Sequence, residues 1–311
     1  MTPILIFTVF LAYTALLFLV TWITSRRATN FSFYLGNKAS PLFVIAYGMI
    51  GASLSGVTFM SVPGWVGTTQ FRYLMVILGY VAGYAVIATV LMPLYYRLNL
   101  TTIYTYLEQR FGFWSYKTGA FFFLLSRTIG ASFRMFLVVN VLQVFVFDAW
   151  HVPFAATVAI FIALIILYTF KGGIKTIIWT DTLQTTFMLA AVGISIYLIS
   201  KDFQWGIRDL FSNVISSDYS NVIVTDWHSK RHFIKQFFSG MFITIAMTGL
   251  DQEMMQKNLS CRNIHDAQKN MFSFSLVLVF VNLMFLFLGA VLFLYAAKYN
   301  IAMPERSDHL F

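Results

Sequence analysis

The sequence predicts an all-α polytopic membrane protein, on three observations. Of its 311 residues, 59% are apolar and 11% charged, against about 45–50% and about 25% in soluble domains. Eight apolar runs, most without a charge, are long enough to cross a bilayer as helices, which takes about 20 residues each. The alternating segments of about ten residues that mark a membrane β-barrel do not occur. Backbone groups in lipid must find their partners within the segment, so the runs are helices. A soluble globular domain and a disordered chain are excluded. So is a disulfide-stapled module, since Cys261 is the single cysteine.

The runs are 3–24, 42–67, 73–96, 118–147, 152–170, 177–199, 233–256 and 271–297. They form one transmembrane domain over residues 1–311, with no low-complexity tract or soluble domain. The first run has no basic region before it and is followed by Arg26 and Arg27. It therefore reads as a retained helix rather than a signal peptide. The fourth run is the longest and should be tilted or protrude. Residues 200–232 form an extracytoplasmic loop with four aspartates, Asp202, Asp209, Asp218 and Asp226. It is either a solvated connector or carries a short interfacial helix near 204–214.

Charge sets orientation. The net charge is +9, and most basic residues sit between the apolar runs. That is the pattern of membrane topology rather than of nucleic-acid binding. With the N-terminus outside, the inside loops carry 11 Lys and Arg and the outside segments 8. The chain is therefore expected to be a multi-pass protein of the plasma membrane (the inner membrane of a bacterial cell), N-terminus outside, with the lipid bilayer as its surroundings.

The second run carries the most chemistry. Of the 17 residues from Gly48 to Gly64, nine are Gly, Ser, Thr or Pro. Gly costs about 1 kcal/mol in a helix interior and Pro about 3. One use of such a segment is a broken helix whose freed carbonyls coordinate a cation; the other is a close helix–helix crossing. The seventh run has only 14 uninterrupted apolar residues, Phe237 to Leu250, before Asp251 and Glu253. Runs two and seven are five apart, and an odd repeat length inverts the second copy. Interrupted segments in corresponding places of two inverted halves point to a transporter site.

Three charges lie within runs. Arg127 and Arg134, seven residues apart, share one face of the fourth. Arg134 is too deep to reach the surface easily. It reads as a bidentate clamp for a carboxylate, or as a structural partner for helix-end carbonyls or a neighbouring acid. Arg127, nearer the inside, reads as structural. Asp181 is the one acid inside the sixth run. It reads as a cation site, or as an interfacial residue favoured by a helix N-terminus. Enzyme signals do not appear. All five histidines fall outside the runs, and no HExxH, P-loop or paired metal-ligand spacing exists. The expectation is a protein that is not an enzyme.

Taken in order, five segments resemble the sodium:solute symporter family. They are 33–41 (FYLGNKASP), 51–64 (GASLSGVTFMSVPG), 103–112 (IYTYLEQRFG), 171–184 (KGGIKTIIWTDTLQ) and 249–263 (GLDQEMMQKNLSCRN). The resemblance implies a LeuT-like inverted-repeat fold with an extra leading helix. It implies co-transported Na+, no organic cofactor, and a small-molecule solute. By position, the family's sodium carbonyls fall on Gly51 and Leu54, and its acid near the intracellular sodium path on Asp181. The ligands from a later helix find no counterpart, so the second repeat reads as incomplete, the C-terminal helices of the same fold as missing partners and the chain as truncated.

The resemblance also bears on the solute. Proline-type members carry an Asp where Ser53 stands. Sugar-type members carry a Gln where Thr58 stands and an Asn where Thr244 stands. Sialic acid transporters are similar in the pattern from Ser55 to Ser61 and in an arginine matching Arg134, although their polar Gln of the next helix has no match near Met75 and Ile77. The implied solute set is Ser55, Thr58, Arg134 and Thr244. The implied function is sodium-coupled symport of a small organic solute, with an acidic sugar such as sialic acid favoured. A symporter for a neutral sugar or amino acid, and a membrane sensor of symporter type, remain as alternatives.

Overall fold

A computed structural model describes residues 3–25, 42–54, 56–100, 102–169 and 173–301. Ser55 and the 33–41 segment lie outside these residues, as does the start of the 171–184 segment. The regular elements are helical throughout the described residues.

α1 (Pro3–Ser25) is the leading helix. Its Thr24 hydroxyl meets that of Thr176 at 2.7 Å. The second run is two helices, α2 (Leu42–Ser53) and α3 (Gly56–Thr69), as a broken segment requires. Pro63 sits in the middle of α3, as its eighth residue. Gln70 then adopts φ 57°, in the left-handed region a non-glycine residue rarely enters. The reversal brings the rings of Trp65 and Tyr73 to 5.4 Å.

The third run is α4 (Tyr73–Val86), continued by a π turn (Ile87–Leu91) and a last helical segment (Met92–Arg97). A short helix, α5 (Tyr104–Phe111), precedes α6 (Phe113–Leu142). α6 begins five residues before the apolar run and extends through a π turn to Phe147. The turn into α7 (Phe154–Thr169) is built on Gln143. Its amide donates to the Asp148 carboxylate and the Val152 carbonyl, both at 2.7 Å, and its oxygen accepts from Thr157 at 2.6 Å. Fully satisfied, this buried amide fixes the reversal rather than opposing it.

α8 (Gly173–Asp202) carries Asp181. The 200–232 loop is not a free connector. It holds α9 (Ile207–Ile215), whose Leu210 and Val214 are buried, with Phe211 4.9 Å from the Phe287 ring. α10 (Phe233–Thr244) passes through a π turn (Ile245–Gly249) and then bends by 70° into α11 (Gln252–Leu259). Asp251 caps the new helix, accepting from the Met254 amide at 3.0 Å. α12 (Ile264–Lys298) starts seven residues before its apolar run, because Asn263 caps it by accepting from the Asp266 amide at 2.8 Å.

Two close crossings organise the core. α4 and α10 meet backbone to backbone at Gly79 and Gly240, where an added Cβ would overlap the carbonyls of Phe237 and Val76. α3 and α12 meet at Gly289, where a Cβ would lie 2.5 Å from the Pro63 carbonyl. The third run thus packs on the seventh as the eighth packs on the second, the exchange expected of two repeats five helices apart. Around these crossings Met49, Ile50, Val62, Met255, Phe274 and Phe285 are buried. The outer faces of α1, α6 and α7 leave large apolar side chains exposed, Phe122, Phe133 and Leu167 among them, as lipid-facing helices do.

Candidate functional site

The two breaks meet across Tyr84 of α4. It lines one cavity with Ser53, the last residue of α2, and Thr248, in the π turn before the second break. The cavity is about 450 Å3, in the usual range for a small-molecule site of about 300–1,000 Å3. Residues of α2, α3, α4, α6, α10, α11 and α12 line it, with others from both breaks. α6 contributes Arg127, Gly130 and Arg134, one face at spacings of three and four; the others include Leu54, Thr58, Thr244, Thr248, Glu253 and Asn282.

Of the four residues expected to bind solute, Thr58, Arg134 and Thr244 line this cavity together, and Ser55 lies outside the described residues. Arg134 is exposed rather than buried. Its Nε donates to the Gly130 carbonyl at 3.2 Å. Among the described residues no carboxylate pairs with it.

Arg127 is different. It forms ion pairs with Asp251 and, at 3.3 Å, with Glu253. It therefore ties α6 to the second break, which is the structural role expected of it. The sequence marked both acids as following an unusually short apolar stretch, but not their partner.

Of the expected sodium residues, Leu54 reaches the cavity and Gly51 stands just before the break. A helix leaves its last four carbonyls without intrahelical partners. The Ile50 carbonyl accepts from the Leu54 amide at 2.8 Å. Gly51 packs so closely on α8 that a Cβ would lie 2.8 Å from the Asp181 carbonyl and clash with the Thr185 hydroxyl. Asp181 is thus one residue contact from the break. Its carboxylate, however, takes the Lys257 ammonium at 2.5 Å. Lys257 lies just past the seventh apolar run, yet its side chain is 1% exposed, because the 70° bend sets α11 against α2 and α12.

Sequence reasoning missed the tyrosine wall. Tyr73, Tyr80 and Tyr84 line the cavity from α4, with the Tyr73 and Tyr80 hydroxyls 3.0 Å apart. Spacings of seven and four on one helix face were the available signal. Ile77, near the position of the missing Gln, is buried in the core.

Residues 33–310 match the sodium:solute symporter family. The sodium/sialic acid symporter NanT of Aliivibrio fischeri is 25% identical over 285 residues, covering 90% of this chain and 55% of its own length. SiaT of Proteus mirabilis, also a sodium/sialic acid symporter, is 23% identical, covering 96% of this chain and 60% of its own. The mouse sodium-coupled monocarboxylate transporter 1 is 25% identical over 242 residues, 76% of this chain and 38% of its own length. A solved structure of a Na+-coupled sialic acid symporter, substrate-bound and outward-open, superposes with a TM-score of 0.83 at 22% identity, over 98% of this chain and 65% of that one. The chain therefore spans a little over half the length of the bacterial relatives. The fold is that of these symporters, LeuT-like and all-helical, in an integral membrane protein, and the chain belongs to the sodium:solute symporter family.

Proposed function

We propose that this chain provides the solute cavity and part of the sodium path of a sodium-coupled symporter for an organic carboxylate. The observation that carries the reading is Arg134, which lines a cavity between two broken helices without a carboxylate partner among the described residues. Its guanidinium fork suits a carboxylate. Thr58 and Thr244 line the same cavity, placed to hydrogen-bond the rest of the solute.

Sodium would rest on the carbonyls of Gly51 and Leu54 at the first break, with Asp181, paired to Lys257, behind them. Both the family and relatives named for sodium coupling support Na+ as the co-transported ion. An acidic sugar is the favoured solute, supported by the two sialic acid symporters, and a short monocarboxylate is the second reading, supported by the mouse relative. The N-terminus is read as outside, from the loop charges.

The test is equilibrium binding of N-acetylneuraminate to the purified chain in sodium and in choline buffers. Affinity at least tenfold higher in sodium is expected. Equal affinity in both would remove sodium coupling from the reading.

A further inference from the structure

Arg127 and Glu253 occupy the same cavity as Arg134, and their charges do not cancel in the ordinary way. Asp251, with its side chain 8% exposed, already pairs with Arg127. Glu253 adds a second carboxylate at 3.3 Å, with its side chain 48% exposed. The group of Arg127, Asp251 and Glu253 carries a net charge of −1 by count, and Arg134 carries +1. Seven residues of α6 separate the two arginines, about 10 Å along the helix. The cavity thus has a positive end at Arg134 and a negative, acceptor-rich end at Glu253. Thr58, Tyr73, Tyr80 and Thr244 line the same cavity.

We infer that Glu253, held by Arg127, is the far-end specificity residue of the solute site. It accepts hydrogen bonds from donor groups at the end of the solute opposite its carboxylate. The solute class is then an elongated monocarboxylate whose other end carries hydroxyl or amide N–H groups. A short alkyl carboxylate would fill the Arg134 end and leave Glu253 unused. A dicarboxylate would place a second negative charge against Glu253 and be rejected. The inference rests on the reading of Arg134 as the carboxylate's partner and adds the feature that separates a polyhydroxylated acid from a short one.

Three probes test it on the full 311-residue chain in sodium buffer: N-acetylneuraminate, lactate and glutarate. The wild-type chain should bind them in that order of decreasing affinity. Glu253→Gln keeps the shape and leaves Arg127 paired with Asp251. It should weaken N-acetylneuraminate about tenfold, as loss of a charged hydrogen-bond acceptor does, leave lactate unchanged, and tighten glutarate. A thermal melt checks that the variant is folded. The wild-type order is an independent measurement should it not be. Affinity ratios among the three that stay within about twofold in Glu253→Gln, or a wild-type preference for lactate or glutarate, would overturn the inference while carboxylate recognition stood. If Arg134→Ala left all three affinities unchanged, the reading of Arg134 would fall and this inference with it.

Discussion

The Lys257 ammonium donates to the Asp181 carboxylate at 2.5 Å, joining α11 to α8 from a position 1% exposed. The pair links the two broken helices. Asp181 lies against Gly51 at the end of α2, while Lys257 belongs to the segment beyond the second break. Asn270, buried next to this region, donates to Asn258 at 2.9 Å and to the Met49 sulfur at 3.3 Å.

Removing one member of this pair should be costly, because the other is left charged and buried. A buried ion pair broken from one side loses about 3–5 kcal/mol, whereas replacing both by apolar groups is often neutral. Asp181→Ala should therefore lower the melting temperature in detergent markedly, and Asp181→Leu combined with Lys257→Met should recover most of the loss. Additive losses in the double variant would show that the two side chains are not coupled.

The glycines divide into two kinds. At Gly240 a Cβ meets the Val76 backbone, which cannot move aside as a flexible side chain can. At Gly193 in α8 a Cβ meets nothing within 4 Å. Gly240→Ala should be destabilising or fail to fold. Gly193→Ala should be neutral or gain up to about 1 kcal/mol from helix propensity. Melting curves of the two variants compare them directly, and equal effects would contradict the crossing described above.

Cys261 lies in the turn between α11 and α12, and burial pushes its thiol up to about 12, with the Asp266 charge adding to the effect. The thiolate is the nucleophile, so maleimide labelling of the native chain at pH 8 should be slow and should accelerate on denaturation. The stability consequence has a defined sign. An unfolded thiol ionises near 9.0 and the folded one near 12, so the stability held below pH 9 is lost as pH rises through that window. Fast native labelling at pH 8 would contradict the burial.

Much of the site was legible in residue types. The Gly, Ser, Thr and Pro density of 48–64 announced the first break, and the acids after a short apolar stretch announced the second. Arg134 stood out as a charge within an apolar run, although it is exposed rather than buried. What was not legible depends on residues far apart in the chain. Nothing near Arg127 names Asp251 as its partner, 124 positions away. Lys257 looked like a loop charge, since composition does not record that α11 turns back by 70°. The tyrosines of α4 read as ordinary span residues until α6 and α10 closed around them. The loop helix α9 was one of two readings of that loop, and its docking on Phe287 depends on a face that only the fold presents.

The central claim is that Arg134 recognises a carboxylate, and the most direct measurement compares N-acetylneuraminate with its carboxyl-reduced analogue on the wild-type chain, Arg134→Ala and Arg134→Lys. A hydrogen bond to a charged group contributes about 1.5–3 kcal/mol, at ~1.4 kcal/mol per tenfold. The wild-type chain should therefore prefer the acid by at least about tenfold, and Arg134→Ala should abolish that preference. Arg134→Lys should restore only part of it, since lysine keeps the charge and loses the fork. Equal affinity of the wild-type chain for the two compounds, or an unimpaired Arg134→Ala variant, would make Arg134 a structural residue and return the solute to the neutral class.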